Sequence, residues 1–589
     1  MPQARTPIII LALIVLIRGL LSSPLVYADP TDDIRQLADA GAVNLAIRVL
    51  DSNQARAGNH AALWQKFEKQ RIALYRDRHD WEKISARLAN LPKFVSSAFR
   101  QWAGEQRAQA LIELGQGDLA RSQLRHLIWS NKTLTPVQLS GWRKLIIRSY
   151  LGDGLAGDAQ MAVMRFRQDY PRQAKKDYLL RARILLLNEN YAEAIALLKP
   201  HASDPTAGSL LLLAQLRGQT RPPRKVLEAT YRHLREKGID ATMTANLWAV
   251  AAEAAEHADK RGSVALALEH VMIQRKAVSL PNSIIDPGVD DLWNAYIDYA
   301  VAISNRQQLL IGQDHKWLVL AGGLKKKKPV ASRSLYAFVM LRGQSQAARN
   351  KAAKAFMKSI SQRKHGDTLL QVLFEKSKYF KHRNAIPANV RPRLVDLALA
   401  RGKIDLASEI MATIKKPPAG EDQFMWLLRR ARILVLGNQL KLGEQALMSL
   451  LDATPKMEQV QVDRFMQVIF DLQTAGENDA AYNLFAKVMK HTDDQKTRRE
   501  IFYWMADSRR AQKRYINAAQ LYLKSAMYPD PRNMDPWSQT AHYQAAVVLA
   551  KAGLYQDAQT LLRRLLKVTK NPERREALQR ELQKMWAMQ

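Results

Sequence analysis

A small side chain returns about every 37 residues through two long stretches of this chain, each time at the same place in a pattern of large ones. Ala407, Gly443, Ala481, Ala518 and Ala558 are separated by 36, 38, 37 and 40 positions, and Ile84, Ser122, Ala159 and Ala194 by 38, 37 and 35. Three positions before the small residue stands a Tyr, Leu, Ile or Trp, and four positions after it another large residue. Tyr191/Ala194/Leu198, Ile404/Ala407/Met411, Leu440/Gly443/Leu447, Tyr515/Ala518/Tyr522 and Tyr555/Ala558/Leu562 follow this rule. Trp81/Ile84/Leu88, Leu119/Ser122/His126 and Val264/Ala267/Val271 are looser copies, and Asn478/Ala481/Phe485 begins with a polar residue. Steps of three and four put all three positions on one face of a helix. A second small residue stands twelve positions earlier in several copies, at Ala182, Ala431, Ala506 and Ala546. Small side chains on both helices let a hairpin close tightly, while the large ones fill the gap to the next hairpin. A unit this short cannot bury its apolar face alone, so it must stack on its neighbours.

The 589 residues are too many for one compact core, which fits an array. Helical spacing dominates after residue 30 and strict alternation is scarce, so the expected fold class is all-α, built of antiparallel helix hairpins. Arg181-Ala182-Arg183-Ile184-Leu185 and Arg430-Ala431-Arg432-Ile433-Leu434 share wording at the same point of the repeat. Gly553-x-Tyr555-x-x-Ala558, and Pro455 twelve residues after Gly443, complete a pattern that resembles a degenerate form of the tetratricopeptide repeat family. The likeness runs over residues 64–200 and 390–572 and is poor across 205–390. It implies a right-handed superhelical solenoid whose concave surface binds peptides or protein segments. The variable hairpin length is also similar to the non-catalytic superhelical domain of soluble lytic transglycosylases; their catalytic domain has no counterpart here. The expected organisation is a signal peptide over 1–28, one solenoid over 29–320, a basic loop or soft boundary at 321–333 and a second solenoid over 334–589. The loop is read from Gly322-Gly323-Leu324 followed by Lys325, Lys326, Lys327, Lys328 and Pro329, because adjacent lysines repel one another in any buried setting.

The first 28 residues read as an export signal. Arg5 supplies the positive start, Pro7 to Ile17 an apolar run, and Val26-Tyr27-Ala28 a cleavage site, so the mature chain should begin at Asp29. Arg18 cuts the apolar run short of the ~20 residues that span a bilayer, which leaves an inner-membrane anchor as the alternative. The address is therefore the periplasm of a bacterial envelope. With no cysteine, the chain has no disulfide, thiolate metal site or acylated thiol. The formal charge of +35 calls for anionic partners. In an envelope these are acidic proteins, anionic polysaccharide or peptidoglycan, with nucleic acid disfavoured; without export, an RNA-binding helical-repeat protein is the rival reading.

Motifs for chemistry are weak. Gly152-Asp153-Gly154-Leu155-Ala156-Gly157 has dinucleotide-loop spacing, but Trp142, Leu145, Ile146 and Ser149 before it continue a helical face, which makes it a turn between paired helices. Glu253 and His257 stand one helical turn apart without further ligands, and Asp286 to Asp291 lacks the pattern of a calcium loop. His126 is expected to pack where other copies have Leu or Tyr. No nucleophile elbow or phosphate loop is present, so the expectation is no catalysis, no cofactor and no metal. For binding, the expected groove residues are Lys144, Arg148, Arg183 and Arg432, on the first helices of their hairpins, and the lysines 325–328 form a separate polyanion loop. Aligned guanidinium groups would clamp carboxylates of acidic protein segments.

Overall fold

A computed structural model describes residues 30–586, apart from 40–42, 132–133, 305, 419, 531 and 533. Residues 1–28, expected to be a signal peptide, and the expected cleavage site after Ala28 lie outside the described residues. Among those residues there is no β-strand, and helix follows helix from Pro30 to Trp586. The described residues form two compact units that part between Gly288 and Val289.

Hairpins occur where the repeat requires them. In the first unit, Trp81–Ala89 follows Ala61–Asp77, Gly117–Ser130 follows Ser97–Glu113, and Ala156–Asp169 follows Pro136–Gly152. Tyr178–Leu187 with Tyr191–Leu198, Pro205–Arg217 with Pro223–His233, and Ala241–His257 with Arg261–Gln274 complete that series. Arg391–Ala400 with Ile404–Ala412 and Pro536–Lys551 with Tyr555–Val568 bracket the regular part of the second unit. The two helices of each hairpin pack on one another, and first helices also pack on first helices. Ser97–Glu113 meets Pro136–Gly152, which meets Tyr178–Leu187, which meets Pro205–Arg217, which meets Ala241–His257. This is an all-helical, tetratricopeptide-like solenoid within each unit.

The small residues sit at the closest approaches. Ala159, Ala182, Ala194, Ala407, Ala431, Ala481, Ala506, Ala518, Ala546 and Ala558 are fully buried. At Gly443 even a methyl group would come within 2.6 Å of Val435 Cγ2. One copy departs from the expected register. Leu119, Ser122 and His126 are all exposed, and Ala120, Leu124 and Leu127 are buried instead. Moving the small position from Ser122 to Ala120 follows from the turn, which ends two residues earlier than the sequence spacing suggested. His126 is therefore a surface residue, not a packed one.

Apart from Pro205–Arg217 with Pro223–His233, whose positive-φ residue Gln219 stands four residues before the second helix, the regular hairpins turn in the same way. His79, Gly115, Gly154, Glu189, Asp259, Gly402, Asn438, Gly476, Lys513 and Gly553 all have positive φ, and each stands two residues before a second helix. The next amide reaches back five residues to close the first helix: Leu155 N–H to Tyr150 O, Asn190 N–H to Leu185 O and Leu554 N–H to Leu549 O, each at 2.9–3.0 Å. This is a left-handed C-cap with the wider 6→1 bond. Glycine adopts it without strain, whereas a side chain with a Cβ does not. Lys513→Gly is expected to raise the unfolding free energy of its region by up to about 1 kcal/mol, and Gly553→Val to lower it by about 1–2 kcal/mol. Urea titration followed by circular dichroism checks both signs.

The expected boundary at 321–333 is not a linker. Ala321 to Leu324 belong to helix Asp314–Leu324, Pro329–Arg342 is the next helix, and only Lys325 to Lys328 turn between them, with Lys328 N–H bonded to Leu324 O at 2.8 Å. The two units part at Gly288–Val289 instead. Proline at the first helical position, which needs no amide hydrogen, starts the second helix at once.

Candidate functional site

The first-helix layer of the first unit carries the candidate site. Within it the regular pattern breaks after Arg261–Gln274, where residues 275–288 leave the hairpins and run back across the layer as a strap. Ser279 is held twice by Asn246, through its backbone N–H at 3.0 Å and its Oγ at 2.8 Å. Ser283 Oγ donates to Leu151 O at 2.5 Å, and Arg217 Nη2 donates to Ile284 O at 2.5 Å. Arg275 closes the strap on itself through Asp286 at 2.6 Å. Leu280, Ile284 and Ile285 are buried, so the strap is an integral part of this face.

Between strap and helices lies a cavity of about 1000 Å³. Lys276 to Asn282 of the strap form one wall; Arg148, Leu151, Leu180, Arg183 and Thr242 of the first helices form another. The ends of the preceding helices contribute Asp77, Arg78, His79, Trp81 and Glu113. His79 and Trp81 stack at 5.6 Å with rings nearly parallel.

Two of the four expected groove residues meet here. Arg183 is deeply set and its Nε has no hydrogen-bond partner among the described residues. Burial first, and the neighbouring charge of Arg148 second, lower its guanidinium below the ordinary arginine value. Neither arginine forms an ion pair among the described residues. Elsewhere in this layer Lys144 is paired to Asp177 at 2.9 Å and Arg217 grips Glu253 through both oxygens at 2.6 and 2.9 Å, and on a second helix Arg121 is paired to Asp153 at 2.6 Å. Each partner lies 32 to 36 residues further on, about one repeat away, so these pairs staple adjacent hairpins. Arg432 does the same job in the second unit, reaching Asp471 at 2.9 Å. Lys144 and Arg432 are consumed in structure, whereas Arg148 and Arg183 are not.

The other sequence candidates find ordinary roles. Gly154, with φ +70°, is the left-handed cap between Pro136–Gly152 and Ala156–Asp169, so the glycine motif is a hairpin turn. Glu253 is taken by Arg217, and Asp286 by Arg275. Among the described residues no group of three His, Asp or Glu side chains could hold a metal ion. Lys325 to Lys328 are all exposed, and no ion pair engages them among the described residues. Sequence reasoning missed the strap, Trp81 and His79 as cavity walls. It also passed over a plain signal around the lysine turn: residues 315–366 hold 13 Lys and Arg and no Asp or Glu.

No protein-family profile matches the chain, and no curated protein matches it in sequence. Among solved structures it is similar to the Cut9–Hcn1 hetero-tetramer of the APC/C, at 13% identity over 94% of this chain and 95% of that one, with a TM-score of 0.22. It is also similar to yeast Tom70, at 13% identity over 84% and 97%, TM-score 0.22. A third match is the pentatricopeptide repeat protein PPR10 in complex with an 18-nt psaJ RNA element, at 14% identity over 96% and 87%, TM-score 0.29. The repeat assignment rests on the hairpins themselves, whose turns and buried small residues recur in register.

Proposed function

We propose that this protein is an exported scaffold of a bacterial envelope assembly, which holds acidic segments of partner proteins at the Arg148–Arg183 cavity and performs no catalysis. The observation that supports this most is the pair of arginines left without carboxylates on a face where Lys144 and Arg217 are each stapled to an acid about one repeat away. The exposed Arg148 repels the more deeply set Arg183, which also loses hydration, and an incoming carboxylate relieves both costs. Guanidinium groups suit this because their planar forks take carboxylates in pairs. The chain's excess of positive charge adds long-range attraction that is screened by salt. The first 28 residues support export, and no helix among the described residues is long and apolar enough to cross a membrane.

The test is capture of partners from envelope extracts by the mature protein, with cross-linking, compared against Arg148→Glu/Arg183→Glu. The double reversal is expected to weaken capture at least tenfold, as loss of a desolvated charge contact costs about 2–5 kcal/mol. Helicity and melting temperature should stay unchanged. The captured protein itself should carry an acidic segment and begin to dissociate as salt rises. Capture unchanged by the reversal would remove the cavity from the account, and a native protein found in the cytoplasm with Met1 retained would remove export.

A further inference from the structure

The Lys325–Lys328 turn belongs to a larger basic surface. Asp314–Leu324, Pro329–Arg342 and Gln346–Ser361 pack in series, and each turn between them reverses the chain within four residues. The end of the first helix, the start of the second and the end of the third therefore lie on the same side. That side gathers Lys325 to Lys328 with Lys358 and Lys364, all exposed, and Lys351 and Lys354 continue the exposed row along the third helix. None of these lysines forms an ion pair among the described residues. The nearest acids in sequence are Asp314 and Asp367, 11 and 39 residues from the turn. Asp314 is buried and accepts from the backbone N–H groups of Gln344 and Ser345, at the opposite end of the helices, so it does not offset the lysines.

Two features narrow the kind of polyanion. The Trp, Tyr and Phe side chains of this stretch, Trp317, Tyr336, Phe338 and Phe356, are buried, so at the lysine end only the small imidazole of His365 is offered for a base or a sugar to stack on. Beside the lysines, the first helix leaves Val319 71% exposed and Leu320 37% exposed, followed by the exposed Gly322 and Gly323. Lysine ammoniums suit a diffuse, hydrated array of phosphates better than a fixed bidentate contact. Clustered lysines next to a shallow apolar edge match the interface of an anionic bilayer. We propose that the Lys325–Lys328 end of the second unit docks the protein peripherally on anionic lipid, with Val319 entering the headgroup layer.

Co-sedimentation of the mature protein with vesicles tests this. Vesicles of phosphatidylcholine with phosphatidylglycerol are expected to bind it at low salt, neutral phosphatidylcholine vesicles are not, and high salt should release it. Changing Lys325, Lys326, Lys327 and Lys328 to Glu should reduce binding more than tenfold without loss of helicity, because all four side chains are in solvent. Val319→Glu should weaken vesicle binding several-fold, while Val319→Leu should not. Arg148→Glu/Arg183→Glu should leave vesicle binding intact, which separates this surface from the cavity. Equal binding to neutral vesicles, or full binding by the four-lysine variant, would overturn the proposal. So would preferential binding to a soluble polyuronate or to RNA that is indifferent to Val319, since the partner would then be a dissolved polyanion.

Discussion

Glu68→Ala should destabilise the first hairpins by about 3–5 kcal/mol, the cost of leaving a buried charge without its partner. The Glu68 side chain is wholly inaccessible and takes two guanidiniums at once. Arg71 Nη1 reaches Glu68 Oε2 at 2.9 Å, and Arg87 Nε reaches Glu68 Oε1 at 2.9 Å. Gln54 ties the group together, donating to Glu68 at 2.8 Å and accepting from Arg71 at 2.6 Å and Arg87 at 2.8 Å. Burial opposes the Arg87 charge, but the hydrogen bond and charge of Glu68 outweigh it and raise its affinity for the proton. With Glu68 gone, Arg71 is left almost fully buried with Gln54 and, as its one carboxylate among the described residues, Asp51, whose side chain is largely in water. Unfolding in urea, followed by the fluorescence of Trp64 and Trp102 nearby, gives the magnitude. Glu68→Met combined with Arg71→Met should recover part of the loss, because a well-packed apolar pair avoids the unpaired charge. A loss below 1 kcal/mol for Glu68→Ala would mean that the network is solvated.

Ala518→Trp should disrupt the end of the second unit while leaving the first unit untouched. Ala518 is fully buried among Tyr522, Ala545, Ala546 and Ala558, where no space exists for an indole. Overpacking of a tight contact costs at least about 1–3 kcal/mol. In a stack where each hairpin touches only its neighbours, the damage stays near the substitution. Hydrogen exchange should quicken in Gln495–Ala511, Tyr515–Met527 and Pro536–Lys551 and remain unchanged before residue 288. Uniform acceleration over the whole chain would contradict a one-dimensional array.

The repeat was legible because its determinants are local. A small residue, a large one three before and another four after all lie on one helix, so the spacing alone reports them. The misplaced copy at Ser122 shows the limit. Leu119 imitates the large residue of the pattern, and only the cap at Gly115 sets the true register. The middle of the chain was opaque for a similar reason: the strap at 275–288 is fixed by contacts to Leu151, Arg217 and Asn246, as far as 132 residues away. For the site, sequence identified four cations on first helices but not which were free. That distinction depends on whether a carboxylate one repeat further on lies within reach, as Asp177 does for Lys144 and no acid does for Arg183. The lysine turn was visible as a run of charge. Its extension through Lys358 and Lys364 needed the reversal of two helices to bring the charges to one end.

The most direct test of the central claim is a titration of the chain from Asp29 onward with a fluorescent oligoglutamate peptide, read by anisotropy, with a photo-cross-linker placed at Thr242 on the cavity wall. The account predicts saturable binding weakened at least tenfold in Arg148→Glu/Arg183→Glu, a cross-link to the peptide that disappears in the same variant, and unchanged binding when the lysines 325–328 are reversed. Binding that survives the arginine reversals but is lost on reversal of the lysines would contradict it, because the carboxylates would then be held at the turn of the second unit and not in the cavity.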